Sequence, residues 1–352
     1  MVTSSKALVS RVSTGQSPRL VQEQLPLPIP DVGQVLVKVS HVAQNPTDIL
    51  SFDRNAYGDG AVLGCDFVGE VTELGAGVTR LLKGDLIAGL IRGGETPGVG
   101  GFSEYTLADQ HISFKIPKNI SRVQASTIPL AAGTAWLALF SHRCLALNRS
   151  AASGTSVLVW GGSSSVGLYA IQLASICGFS VITTCSPRNF DLVRSCGANH
   201  IFDYNDPTVI DKIKEVSADL RYAFDTIGSI TSSTLASRAW GDRPGNLCTV
   251  RPGKANTEQV TSNTRITDVL LWTVFLKDQW WHDNQNNQFH WPASKEDNDL
   301  AKEFFDKLPS WLEQGQFQPN KTRVLSGLDS VPHGFQEYRD GKISAYKIVY
   351  EL

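Results

Sequence analysis

The strongest pattern of apolar and polar positions lies in the middle of the chain. Val157-Leu158-Val159-Trp160 is an unbroken apolar run, which suits a parallel strand covered on both faces. It enters Gly161-Gly162-Ser163-Ser164-Ser165-Val166-Gly167, and residues 168–177 then carry apolar side chains at helical spacing. Gly178 ends that helix as a C′ glycine does. The β-branched segment 180–185 follows as a second strand. This is one strand–turn–helix–strand unit. The alternation continues: Asn189 is placed to cap a helix over 190–196 that Gly197 closes, and residues 200–202, 222–226 and 246–250 read as further strands. Strands alternating with helices predict an α/β domain with a doubly wound parallel sheet of Rossmann type.

The first 125 residues follow a different rhythm. Residues 35–42 and 67–74 read as strands, and Gly75, Gly77, Gly84, Gly89, Gly93, Gly94, Gly98, Gly100 and Gly101 punctuate short segments. That pattern predicts an all-β, barrel-like domain. The length of 352 residues fits two domains, since single cores rarely grow past about 250 residues.

Between the two central strands the small-residue turn brings backbone close to where a pyrophosphate would sit. The helix dipole and the first helical N–H groups favour that anion. Gly162, Ser163, Ser164, Ser165, Val166 and Gly167 are therefore candidate cofactor ligands. The middle glycine of the usual Gly-x-Gly-x-x-Gly is absent, and Ser165 sits near its place. NAD sites put Asp or Glu at the end of the second strand. Here Thr184-Cys185-Ser186-Pro187-Arg188-Asn189 carries no carboxylate. A hydroxyl and a guanidinium suit the 2′-phosphate of NADPH, so Ser186 and Arg188 are assigned to it, although Arg188 also reads as a solvated turn residue. Tyr204 is assigned to the adenine or the phosphate, with ordinary packing as the alternative.

Composition narrows the picture. Hydrophobic residues are 41% and charged residues 19%, with net charge −2. No basic stripe predicts a nucleic-acid partner, and no window approaches the roughly 18 apolar residues of a membrane span. The N-terminus lacks the apolar core of a signal peptide, so a soluble cytoplasmic protein is expected. The six cysteines are scattered without a Cys-x-x-Cys pair and are expected buried and reduced. Residues 266–276 are apolar at helical spacing, which reads as core, a dimer face or the wall of an acyl pocket. The aromatic segment Trp280–Trp291 reads as a surface loop or pocket flap, and His282 and His290 within it are not expected to bind metal.

Several segments in order complete the reading: Asn45-Pro46-Thr47-Asp48, the 64–71 strand, Gly84-Asp85, Gly101-Phe102-Ser103-Glu104-Tyr105, Pro129-Leu130-Ala131-Ala132-Gly133-Thr134-Ala135, the cofactor loop, and Gly341-Lys342-Ile343 with Lys347-Ile348-Val349-Tyr350. Together they resemble the medium-chain dehydrogenase/reductase superfamily over nearly the whole chain. Thr184–Pro187 and Phe202-Asp203-Tyr204 are similar to fungal trans-acting enoyl reductases that serve polyketide synthases. The resemblance implies a GroES-like catalytic domain over 1–125, completed by about 316–352, and a Rossmann cofactor domain over 126–315, with the active cleft between them.

Asn45 stands where zinc members have a ligand cysteine, and Cys65-Asp66 where Gly-His-Glu would supply a histidine. No four-cysteine lobe is present, so no metal is expected. The implied reaction is hydride transfer from NADPH to the β-carbon of an enoyl thioester, then protonation at the α-carbon. A carrier-bound or small-molecule acyl substrate and a polyketide synthase partner follow, with a monomer or homodimer as the working form. Asn45, Thr47, Asp48 and Thr134 are the implied catalytic residues, with turn formation and helix capping as a second role for Asn45 and Asp48. Ser344 and Ala345 are implied to reach the cofactor. Leu50 departs from the lysine these enoyl reductases often carry two positions after Asn-Pro-x-Asp. That departure keeps open the reduction of a free carbonyl, enone or quinone, and an NADPH-binding scaffold with non-redox chemistry.

Overall fold

A computed structural model describes residues 3–13, 15–282 and 288–352, with the backbone alone for Trp281 and His282. The chain divides into two compact units, Met1–Leu130 with Phe305–Leu352, and Ala131–Phe304.

The first unit opens with β1 (Ser4–Arg11), β2 (Arg19–Pro26), β3 (Gln34–Ala43), α1 (Pro46–Asp53), β4 (Ala61–Val62), β5 (Asp66–Leu74), β6 (Leu86–Leu90), β7 (Tyr105–Asp109), β8 (Ser113–Lys115) and α2 (Arg122–Ser126). Strands β2-β1-β4 form one sheet. β3 sits at the centre of the other. It pairs antiparallel with β5 and with β7, and its register against β5 slips at Leu36/Val37 and at Val39/His41. Such irregularities bend a strand and let one sheet curl round a core. Pro46 then ends the strand and opens α1, where its missing N–H costs nothing.

The second unit contains α3 (Pro129–Phe140), β9 (Ser156–Trp160), α4 (Ser165–Ile176), β10 (Ser180–Thr184), α5 (Phe190–Ser195), β11 (His200–Phe202), α6 (Val209–Val216), β12 (Tyr222–Asp225), α7 (Ile230–Arg238), β13 (Gly245–Thr249), β14 (Thr264–Asp268), β15 (Gln279–His282), β16 (Gln288–Trp291) and the start of α8 (Lys295–Glu313). Its six-stranded sheet has the order β11-β10-β9-β12-β13-β14, parallel at every pairing. The doubly wound sheet is as expected. The strand order reverses between β9 and β12, and the crevice beyond their C-terminal ends is where such sheets bind ligands.

The chain returns to the first unit with β17 (Thr322–Ser326), α9 (Val331–Arg339) and β18 (Lys347–Glu351). β18 pairs antiparallel with the end of β3, Val349 opposite Ala43. The first core closes there: Phe102 meets Phe335 and Tyr350 edge-on or tilted, and all three are buried with Val37, Val42, Ile49 and Phe67.

Three local expectations are corrected. Residues 266–276 form no α-helix: Ile266 and Thr267 belong to the edge strand β14, and Leu271–Phe275 is a 3-10 turn. Pairing with β13 outweighs the helical spacing of the apolar residues. Asn189 makes no side-chain cap, because a 3-10 turn over Pro187–Asn189 already leads into α5. Within Trp280–Trp291 the described residues are strands and not a loop, and residues 283–287 lie outside the described residues. β15 and β16 make an antiparallel hairpin in which Trp280, half-exposed, stacks on His290 at 3.9 Å between centroids. The side chain of His282 lies outside the described residues. Cys65, Cys144, Cys185 and Cys248 are buried, Cys177 and Cys196 half-buried, and none of the six forms a disulfide. No helix among the described residues is long and apolar enough to cross a membrane.

Candidate functional site

The turn after β9 is built by close backbone approach. Gly161 has φ +82°, and a Cβ on Gly162 would lie 2.0 Å from Thr183 Oγ1 on β10. A Cβ on Gly167 would lie 2.4 Å from the Gly161 carbonyl oxygen. Only glycine lets the first turn of α4 rest on the strand–helix junction. Ser164 is the N-cap of α4. Its Oγ accepts the Gly167 N–H at 2.9 Å and donates to Thr226 Oγ1 at 2.8 Å, while Thr226 donates to the Trp160 and Gly161 carbonyls. The loop is thereby held before any ligand arrives. Ser163, Ser164, Ser165 and Val166 are half-buried along it, at the positive end of a twelve-residue helix.

Ser186 and Tyr204 meet beyond the ends of β10 and β11, with Ser186 Oγ 3.4 Å from Tyr204 Oη. Tyr204 is 43% exposed, which weakens its reading as core. Arg188 is exposed in the turn immediately after Ser186. The neighbouring acids are engaged elsewhere. Asp191 pairs with Arg194, and Asp203 accepts the Asn205 N–H at 2.9 Å. Ser186, Arg188 and Tyr204 thus form one accessible group without a competing carboxylate on β10.

A second polar cluster lies wholly inside the first unit. Asn45, Asp48 and Asp66 are 2%, 1% and 0% exposed. Lys347, the first residue of β18, sends its ammonium among them: Nζ donates to Asn45 Oδ1 at 2.7 Å, Asp66 Oδ2 at 2.9 Å and the Thr127 carbonyl at 3.2 Å. Asn45 Nδ2 donates to Asp66 Oδ2 at 2.8 Å, and Asp66 Oδ1 accepts the Leu130 N–H in the first turn of α3 at 2.7 Å. The Asn45 amide is therefore spent at both ends. Of the Asn45–Asp48 motif, Thr47 is half-buried on α1 with Leu50 nearby in sequence, and Thr134 is half-buried on α3. Ser344 is exposed, and Ala345 is partly covered with φ +59°.

Asp48 is the unusual acid. Burial pushes its carboxyl up to about 7, against the opposing hydrogen bond from the Asn45 N–H. Its Oδ1 is buried with no oxygen or nitrogen donor, only the Cys65 thiol lying against the carboxyl, which suits a neutral acid better than an anion. A folded-state value above the unfolded one near 4 means that stability is full at low pH and is lost as pH climbs from about 4 to about 7. Asp48→Asn keeps an oxygen for the Asn45 N–H and should flatten that loss. Denaturant midpoints measured from pH 5 to pH 8 should fall for the wild type and fall less for the variant; parallel curves would reject the assignment.

The turn at β9, the parallel sheet and the β-rich first unit define a nicotinamide-dependent dehydrogenase/reductase architecture. Family models agree: residues 31–118 match the alcohol dehydrogenase GroES-like domain, and residues 165–263 match the zinc-binding dehydrogenase domain. The chain belongs to the medium-chain dehydrogenase/reductase superfamily, a family of oxidoreductases that use a nicotinamide cofactor. Among its relatives is a zinc-type alcohol dehydrogenase-like protein of Schizosaccharomyces pombe, 33% identical over 97% of this chain and 99% of the relative. A trans-enoyl reductase of Alternaria alternata is 32% identical over 98% and 99% of the two chains, and one of Fusarium heterosporum 34% over 92% and 93%. Two solved structures share the fold: an alcohol dehydrogenase superfamily protein from Novosphingobium aromaticivorans, at TM-score 0.77, 22% identity and 99% coverage of both chains, and the CurK enoyl reductase, at TM-score 0.74, 17% identity and coverage of 98% and 99%.

The zinc in the family description does not fit these residues. The oxygens of Asn45 and Asp66 that converge inside the first unit are already held by the Lys347 ammonium, and a second cation there would face an unscreened like charge. Burial raises the Cys65 thiol well above its ordinary range, away from the thiolate a metal needs. Among the described residues no group of three His, Cys, Asp or Glu is placed to hold an ion. Asp66 and Lys347 escaped the sequence reading as site residues. The signal that bears on them is the lone Lys before the apolar run Ile348-Val349-Tyr350, a charge where strand burial would disfavour one.

Proposed function

We propose that the chain is an NADPH-dependent enoyl reductase acting on an α,β-unsaturated thioester, in the manner of the trans-enoyl reductases it resembles. The observation that carries the cofactor choice is the accessible Ser186–Arg188–Tyr204 group at the end of β10, with no acid on that strand. The nicotinamide supplies the hydride when bound. The chain's own part is to hold the pyrophosphate on Gly162–Gly167, to offer cations and hydroxyls to the 2′-phosphate, and to stabilise the enolate oxygen without a metal. Thr47 is our first candidate for that oxygen, since it is only half-buried, while Asn45 and Asp48 are buried and the Asn45 amide is spent on Lys347 and Asp66. Thr134 is the second. Ser344 and Ala345 are kept as cofactor neighbours. A carrier-bound polyketide chain, a partner synthase and a cytoplasmic setting belong to the same proposal.

Leu50 favours one alternative, a free enone or quinone, because it offers no cation to a carrier-bound substrate. The test is NADPH consumption by the purified protein with an enoyl-pantetheine thioester, a free enone and a quinone. Turnover of the thioester supports the proposal, and Thr47→Val should then lower kcat by roughly 10- to 100-fold. Turnover of only the free compounds selects the alternative. Tight NADPH binding with no turnover of any of the three would make the chain a binding scaffold.

A further inference from the structure

The mechanism above uses Thr47 and leaves the buried ion pair beside it without a task. Lys347 has three N–H groups and meets three acceptors, each from a different segment: Asn45 ahead of α1, Asp66 at the start of β5, and Thr127 at the end of α2. The pair is closed to water, with side-chain exposures of 4% and 0%. Every oxygen of the Asp66 carboxylate is engaged as well, by Leu130, Asn45 and Lys347. A surface ion pair would contribute little. A dry one costs more in desolvation than hydrophobic residues of the same shape, so its presence calls for a purpose other than stability.

We infer that Lys347 is a positioning residue: its ammonium fixes the Asn45 side-chain amide and, through it, the turn that presents Thr47. The orientation of Asn45 is set from both ends, since Oδ1 must accept from Lys347 and Nδ2 must donate to Asp66. With the side chain locked, the Asn45 N–H closes on the Asp48 carboxyl at 2.8 Å and the Asp48 N–H on the Asn45 carbonyl at 3.0 Å. Pro46 has a fixed φ, so the backbone of Thr47 is held on both sides. The C-terminal strand thus reaches across the unit to set a turn some 300 residues earlier in the chain. The titratable groups facing the pair are Asp48 and Cys65, and burial shifts both toward their neutral forms.

The inference rests on the proposed function only where turnover is read. The test compares the wild type with Lys347→Met, Asp66→Asn and the double variant. Lys347→Met leaves the carboxylate buried alone and should lower Tm sharply. The double variant carries no unpaired charge and should recover most of that loss. Its Asn45 and Asp48 amides should nonetheless exchange hydrogen about tenfold faster than in the wild type, while amides of β5 and β6 are unchanged. Its kcat should fall on the order of 100-fold, with NADPH affinity unaltered. A double variant with wild-type exchange at Asn45 and Asp48 would overturn the inference, as would one whose kcat returns with its Tm. If the wild type turns over no substrate, the functional reading fails, and the exchange measurement still decides the role of Lys347.

Discussion

Arg188→Ala should raise the KM for NADPH by about tenfold or more and leave the KM for NADH within a factor of about two. The reasoning is electrostatic. A charge-assisted hydrogen bond to phosphate contributes about 1.5–3 kcal/mol, and each 1.4 kcal/mol is about tenfold in affinity. NADH has no 2′-phosphate, so nothing of that contribution is lost with it. Arg188 sits in the turn after β10, next to the Ser186–Tyr204 contact, and is exposed, so water and salt screening hold the effect toward the lower figure. Arg188→Lys keeps the charge but not the planar fork and should fall between the two. Initial rates with both coenzymes at matched ionic strength provide the check. Equal loss with NADPH and NADH would mean that Arg188 supports the turn and does not read the phosphate.

Gly162→Ala should act in the opposite manner and weaken both coenzymes together. The added methyl would stand 2.0 Å from Thr183 Oγ1 and 2.9 Å from Ile171 Cδ1. Thr183 cannot step aside freely, because its hydroxyl is buried and donates to the Val159 carbonyl at 2.7 Å. Either that bond breaks or β9 and α4 move off β10. Overpacking of this kind costs about 1–3 kcal/mol, with a further ~1 kcal/mol if the hydrogen bond is lost. A domain of this size should then lose several degrees of Tm, at roughly 2–4 °C per kcal/mol. The Gly162 N–H, now bonded to the Thr184 carbonyl at 2.8 Å, would be displaced as well, and with it the turn proposed to hold the pyrophosphate. Adding Thr183→Ala should recover part of the loss, since the nearest clashing atom is then gone. Calorimetry and fluorescence titration with NADPH and NADH measure these effects; wild-type Tm and affinity would show that the turn yields without cost.

The two substitutions also separate what was legible in the chain from what was not. The apolar run over Val157–Trp160, the glycines around it and the helical spacing after it announce a strand, a turn and a helix that must be adjacent in space. The missing acid at the end of β10 was visible for the same reason: the residues proposed to discriminate the coenzymes lie within a few positions of the strand they follow. Which of the three serines caps α4 was not legible, and backbone geometry gives that place to Ser164. Residues 266–276 were misjudged because the spacing of apolar side chains cannot weigh an edge strand's pairing with β13 against a local helix.

By itself the sequence determined the α/β class and the nicotinamide-dependent family, because each depends on residue types close together along the chain. The tertiary structure alone decided that Asn45 and Asp48 are buried while Thr47 is only half-buried, that burial pushes the Asp48 carboxyl up to about 7, and that Lys347 completes the cluster. Those outcomes depend on burial and on partners hundreds of residues apart. A strand added at the end of the chain pairs with β3 and delivers its lysine to a carboxylate on β5, and sheet pairing at that distance leaves no periodic trace in the residues it joins.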